Sequence, residues 1–342
     1  MKTLLVLLLC GFLLFGCIDD GGGQPPPPPP DENDTGVNGD GISVVVNPQQ
    51  NTTIGENITQ PPDVEPPDTE EIEYVEDESS LFTICFIHVG DEDYGVQGDA
   101  ILIKKGDLDI LVDAGSAQTA NRVIDFLKAR EVDDLDVLMV TNADPHHYGG
   151  IPAIANEYDV EEFWWSGVDL YEDQDYADAV EIASEKAEVT VEVHAGYTRT
   201  LNGMTFEILN PPAERFGDVN NDGIVTRLSD RNFTALLMSG VQTGAHNRLL
   251  NEYEEKINVD VLQAPFYGLG SGTQNFGVFL VASLPDTVVI SGSADDSAEA
   301  GGSREPFLRY LEQYEIPYNA TYLGGTVRIT SDGYEYDIAH LG

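Results

Sequence analysis

The sequence predicts an α/β layered domain of roughly 260 residues, from near Leu81 to Gly342, behind an amino-terminal stretch that cannot form a core. Three observations predict it. Apolar runs of strand length alternate with segments of helical periodicity from Leu81 onward. Tight Gly-containing turns separate those runs. Before Leu81 the composition is poor in apolar residues and its charge has one sign.

The elements follow in order. Leu81–Gly90 reads as a buried strand and Asp99–Lys104 as a second. Asp107 to Asp109 makes a turn before Ile110–Val112, which ends in Asp113-Ala-Gly-Ser116. Ser116 is an N-cap for a helix over Ala117–Arg130, with Val123, Ile124 and Leu127 on one face. Leu135–Val140 is a strand, Ile151–Glu157 starts a helix, and Glu162-Phe-Trp-Trp165 is a strand with one tryptophan in the core and the other showing its face. Later come Gly223–Leu228, Phe233–Gly240, Val259–Gly268, Thr287–Ile290, the helix Glu305–Tyr314 and Thr326–Thr330.

The first residues have the order of an export signal: Lys2, an apolar stretch from Leu4 to Phe15, then Gly16-Cys17. Leu14-Phe-Gly-Cys17 reads as a lipobox, giving a signal peptide at 1–16 and a lipidated Cys17 that anchors the chain to the outer face of the cell membrane; a plain secretory peptide is the alternative. Residues 17–80 read as a disordered acidic and Pro-rich tether, for 16 acids and no Lys or Arg fall between Asp19 and Ser80. Asn51 and Asn57 head glycosylation motifs there. With Cys17 acylated, Cys85 is the only mature thiol, so no intramolecular disulfide forms and Cys85 is a core residue.

The net charge of −45 speaks about partners. A surface this acidic, without a basic stripe, repels phosphate backbones, so nucleic acid is disfavoured as a ligand. High-salt solubility and a generic acidic exported surface explain it equally well.

The most informative stretch is Thr141-Asn-Ala-Asp-Pro-His-His-Tyr-Gly-Gly150, at the end of the strand Leu135–Val140. Carboxylate and imidazole donors on a turn after a buried strand are the ligands zinc, manganese or iron prefer. The stretch resembles the metal-binding signature of the metallo-β-lactamase superfamily, His-x-His-x-Asp-His, in the form found in ComEC-type extracytoplasmic domains of DNA-uptake proteins. Asp144, His147, Gly149 and Gly150 match; Asn142 stands for a His and His146 for an Asp. The resemblance extends through Gln97-Gly-Asp-Ala100, after an apparent insertion at Asp91–Val96, through Val112-Asp-Ala-Gly115 and the second-half elements. It implies a four-layer αββα sandwich over 81–342.

The resemblance also implies a dinuclear hydrolytic site, in which two cations lower the pKa of a bridging water. Here the bridging Asp is replaced by Gly240 (or Ser239 if the register slips), the His after Ala264-Pro265 by Phe266 and Tyr267, and the last His by Gly301-Gly302-Ser303. Asp144, His146 and His147 could hold one weak divalent ion, or they cap the strand and the next helix by hydrogen bonds. His246 lies on a helical pattern and is expected on the surface. Asp218-Val-Asn-Asn-Asp-Gly223 has the Asp218, Asn220, Asp222 spacing of half a calcium loop, though a polar turn accounts for it as well.

Two readings of function stand. The first is a lipid-anchored binding or scaffold module of this fold that has lost dinuclear catalysis, with a protein or small-molecule ligand the sequence does not name. The second is a hydrolase with an altered mononuclear site acting on an exported ester or phosphoester. A DNA-processing role, as proposed for the ComEC domain, runs against the acidic surface.

Overall fold

The first sheet begins where the apolar pattern does. The computed structural model describes residues 81–91, 96–167, 173–270, 272–273, 276–297 and 301–342. The signal peptide, Cys17, the tether and both glycosylation motifs therefore lie outside the described residues. In chain order come β1 (Phe82–Phe86), β2 (Ile101–Lys105), β3 (Leu108–Val112), α1 (Ala120–Ala129), β4 (Leu135–Met139), α2 (Pro145–Tyr148), α3 (Ile151–Glu157), β5 (Val160–Trp165), α4 (Gln174–Lys186) and β6 (Ala187–Glu192). The second half holds β7 (Thr198–Leu201), β8 (Met204–Asn210), β9 (Val225–Asp230), β10 (Phe233–Leu237), α5 (Thr243–Glu252), β11 (Val261–Gln263), α6 (Phe276–Ser283), β12 (Thr287–Ile290), α7 (Glu305–Gln313), β13 (Tyr318–Ala320) and α8 (Thr321–Gly324). The chain then returns through β14 (Thr326–Ser331) and β15 (Tyr336–Leu341).

These strands form an eight-stranded sheet, β15-β14-β1-β2-β3-β4-β5-β6, and a seven-stranded sheet, β13-β12-β11-β10-β9-β8-β7. Strand alternation builds the layers, because successive side chains point to opposite faces. Ile84, Phe86, Ile103, Ile110 and Trp164 meet Phe206, Leu228 and Phe233 between the sheets. Cys85, Leu102, Leu111 and Phe163 face outward onto Val123 and Leu127 of α1, Ile154 of α3 and Ala183 of α4. Leu236, Leu262, Val288 and Ile290 face Leu249 of α5, Phe279 of α6 and Phe307 and Leu311 of α7. The result is the four-layer αββα sandwich that the resemblance implied.

Trp164 packs between the sheets as expected, whereas Trp165, expected to show its face, is half-buried against the helical layer. Several details differ. The first helix begins at Ala120 rather than Ala117, and Ser116 closes the preceding turn, its carbonyl accepting from Thr119 N at 3.0 Å. The turn before β3 sits at Gly106-Asp107, and Asp109 is a buried strand residue whose carboxylate accepts from Lys104 Nζ at 2.7 Å. Asp91 and Val96 pair by mutual 2.8 Å backbone bonds, closing the base of the insertion.

Candidate functional site

The site lies where β3, β4, β10 and β11 end, and its backbone is bent there in unusual ways. Asp113, Ser239, Phe266 and Tyr267 all adopt positive φ, at 59°, 53°, 47° and 58°. Left-handed non-Gly residues are costly and gather at sites where surrounding contacts over-determine them. Two of them, Asp113 and Tyr267, aim a polar group at His147. The Gly149-Gly150 pair of the signature has a steric reason. A Cβ at Gly150 would overlap the Ala114 carbonyl oxygen, so the β3 and β4 turns approach closely only without one.

The signature splits in two. Asp144 caps α2, accepting from His146 N at 2.8 Å and pairing with His146 Nδ1 at 2.8 Å. Burial acts to raise the Asp144 pKa, but hydrogen bonds from His146 and the His147 charge overcome it and bring it down to about 2. Asn142 Oδ1 accepts from Asp144 N at 2.9 Å. His147 instead turns inward and is 1% exposed. Its Nδ1 donates to Asp113 Oδ2 at 2.7 Å, and that carboxylate also accepts from Thr141 N at 2.7 Å and Thr141 Oγ1 at 2.6 Å. Its Nε2 lies 2.8 Å from the Tyr267 hydroxyl. Thus the loop does not bring the three expected donors together around one point.

The partners of His147 come from elsewhere. Asp99 Oδ2 lies 3.8 Å from His147 Nδ1. Burial, the largest effect, pushes the His147 pKa down, but the charge and hydrogen bond of Asp113 and the charges of Asp99 and Asp144 raise it to about 9. The imidazole is therefore cationic at neutral pH between two buried carboxylates. Asp99 is raised by burial and by Asp113, against the pull of His147. Ser291 and Gln263 face it, yet neither Asp99 oxygen, Ser291 Oγ nor Gln263 Nε2 completes a well-formed hydrogen bond. Tyr267 is held well above its ordinary range by burial and by Asp99, Asp144 and Asp113, so its hydroxyl keeps its proton.

The remaining ligand positions converge on the same cleft. Gly240, not Ser239, faces it: a Cβ on Gly240 would lie 2.8 Å from Asn142 Nδ2 and 3.3 Å from His147 Nε2. Ser239 Oγ is engaged by Thr141 Oγ1 at 2.6 Å. The Tyr267 turn is braced by Arg304, whose Nε donates to the Tyr267 carbonyl at 2.8 Å. Asn142 Nδ2 and Asn220 Oδ1 are buried without a hydrogen-bond partner beside Gly240.

Two further expectations meet the structure here. The Asp218–Gly223 loop is a polar turn that spends its carboxylates on its own backbone. Asp222 accepts from Phe216 N and Gly217 N at 2.8 Å, and Asp218 Oδ1 from Asn221 N at 2.8 Å. His246 is not on the surface; it is 3% exposed, with its ring 4.8 Å from that of Phe276. Burial lowers its pKa to about 3, against a weak backbone bond to Val241. His246 does lie on a helix, α5, but the facing helix α6 is apolar on every side and covers it.

The fold suggests divalent metal binding, and among the described residues one group could hold an ion. Ligand atoms of Asp99, Asp113 and His147 lie within 4.8 Å of one another, all buried. Two carboxylates and an imidazole suit zinc, manganese or iron, and the unsatisfied Asp99 oxygens fit a cation. A metal at Nδ1 displaces the proton there, so metal and proton compete for one atom. A dinuclear set does not fit. Gly240 offers no bridging carboxylate, and the Tyr267 hydroxyl holds Nε2. Sequence reasoning missed Asp99 and Asp113 as site residues; the available signal was an Asp just before one apolar strand, β2, and an Asp just after the next, β3, where a buried carboxylate needs a partner.

Similarity to known proteins agrees with this architecture. The chain is 22% identical over 206 residues to ComE operon protein 3 of Bacillus subtilis (strain 168), covering 60% of this chain and 26% of that protein. It therefore spans about a quarter of that relative's length. The crystal structure of the metallo-beta-lactamase fold protein YhfI from Bacillus subtilis superposes with a TM-score of 0.51 at 12% identity, over 72% of this chain and 99% of that one. The family description "Metallo-beta-lactamase superfamily" matches residues 93–212, and with the two-sheet sandwich around it the chain carries a domain of that superfamily.

Proposed function

We propose that this chain is a ComEC-like module, lipid-anchored through Cys17 outside the cell, that uses its cleft for binding rather than for two-metal hydrolysis. The observation that carries the reading is the 2.8 Å contact between the Tyr267 hydroxyl and His147 Nε2. It ties up a ring nitrogen that a cleft-bound cation would need. Gly240 supports the same conclusion, because that position offers no carboxylate where the resemblance implies the bridging one. Without a bridged water of lowered pKa, the main source of rate in a dinuclear hydrolase is missing.

The test is metal analysis and turnover of the purified full chain. At most one metal per chain is expected, with no phosphodiesterase, β-lactamase or thioesterase turnover when zinc, manganese or iron is supplied. Restoring Asn142→His, Gly240→Asp and Tyr267→His together should raise the metal content. Turnover in the natural protein that disappears in His147→Ala overturns the proposal. It would favour a mononuclear hydrolase acting on an exported ester or phosphoester, for which the Asp99, Asp113 and His147 group is the supporting observation. Anchoring is tested separately: Cys17→Ser should move the protein from the membrane fraction to the medium.

A further inference from the structure

We propose that the outer face of α6 and the adjoining end of α7 form a docking surface for a basic, apolar peptide segment of another protein. Helix α6 reads Phe-Gly-Val-Phe-Leu-Val-Ala-Ser and is apolar around its whole circumference. A helix of that composition belongs in an interior. One side does pack, with Phe276, Phe279 and Leu280 buried in the core of the second half. The other side leaves Val278 64% and Val281 50% exposed, and Leu284, just past the helix end, is 66% exposed. Val278 and Val281 lie three apart on one helical face, and Leu284 extends the apolar surface beyond it.

Grooves flank this surface on both sides. One of 530 Å³ is lined by Val278, Val281 and Tyr314, and a second of 490 Å³ shares Val281 and Tyr314 and continues to Ile316 and Pro317. A third begins at the same Ile316 and Pro317 and runs along α7. The three adjoin one another through these shared residues.

Charge names the occupant. The grooves are rimmed by Glu254, Asp286, Glu315, Glu305 and Glu312. Among the described lining residues Arg309 is the one base, and it is paired with Glu305. A second copy would bring the same acids against these, on a chain of net charge −45. The stretch from Asp19 to Ser80 carries 16 acids and no Lys or Arg, so it is repelled as well. Anionic lipid is excluded on the same ground. A segment with apolar side chains on one face and Lys or Arg beside them satisfies both the apolar surface and its rim. The surface lies on the helical layer of the second half, and the inference does not depend on whether the cleft holds a metal.

The test uses the full chain and a fluorescent helical peptide of Leu and Lys, with its leucines on one face, beside a counterpart carrying Glu for Lys. Fluorescence anisotropy should report binding of the Leu/Lys peptide only. Val281→Asp and, separately, Val278→Asp should each weaken it about tenfold or more, since each removes a buried valine contact. Both side chains are at least half exposed, so neither change threatens the fold, which circular dichroism checks. Both also add negative charge, so attraction to acidity alone would leave binding unchanged or tighter, and that result overturns the proposal. Equal binding of the Leu/Glu peptide overturns it too. A dimer in sedimentation, or binding to zwitterionic vesicles, that is lost in Val281→Asp would assign the face to a second copy or to lipid instead.

Discussion

Raising pH from 6.5 to 9 should destabilise the domain through one buried imidazole. His147 sits at about 9 in the folded protein, above its ordinary 6.5. The folded state therefore keeps a proton that the unfolded chain releases. The resulting stabilisation is complete below pH 6.5 and is lost as pH rises through 9. A displacement of that size corresponds to about 3 kcal/mol, a substantial part of the stability of an ordinary domain. Urea unfolding at a series of pH values, with chelator present so that no metal competes for Nδ1, reads it directly. The window stops at 9 because Cys85, whose pKa is raised by burial, ionises above that only in the unfolded chain and would add a fall of its own. Asp113→Asn should flatten the slope, since the Asp113 charge and hydrogen bond are the largest effects raising His147. A wild-type stability that is level across this range, or an equal fall in Asp113→Asn, would refute the assignment of a cationic His147.

Two other outcomes follow from single contacts. Gly240→Asp alone should cost about 1–3 kcal/mol, because its side chain meets Asn142 Nδ2; Asn142→Ala added to it should recover part of the loss in thermal unfolding, and an uncompromised single variant would mean that the cleft has room for the bridging carboxylate. His246→Phe should remove an acid sensitivity. The neutral imidazole, with a pKa lowered to about 3, costs stability as pH falls from 6.5 toward 3, at about 1.4 kcal/mol per pH unit. The difference between wild type and variant isolates that slope from the carboxylates that titrate beside it, and parallel acid curves would sink the idea.

The fold was legible because its signals are local. Buried strands show as apolar runs and amphipathic helices as periodic ones. The close approach of two turns is written as Gly149-Gly150. The family resemblance, not local pattern, placed Asn142, Gly240 and Tyr267 at ligand positions of one cleft; the structure sets Gly240 beside Asn142 and His147, and Tyr267 on His147. What chain order could not give is which neighbour each donor takes. Asp144, His146 and His147 are adjacent in sequence, and one loop site was the natural expectation. Helix α2 turns His147 inward and leaves Asp144 and His146 paired at its start, because Asp144 is the extended N-cap outside the helix and the adjacent His146 and His147 point about 100° apart around it. The partners of His147 stand 34, 48 and 120 residues away, at Asp113, Asp99 and Tyr267. The burial of His246 likewise depends on α6, which lies across a loop and a strand from α5. Sequence fixes which side chains a strand end or helix face presents. Only packing of the two halves decides which of them share a low-dielectric space, and there protonation and metal affinity are set.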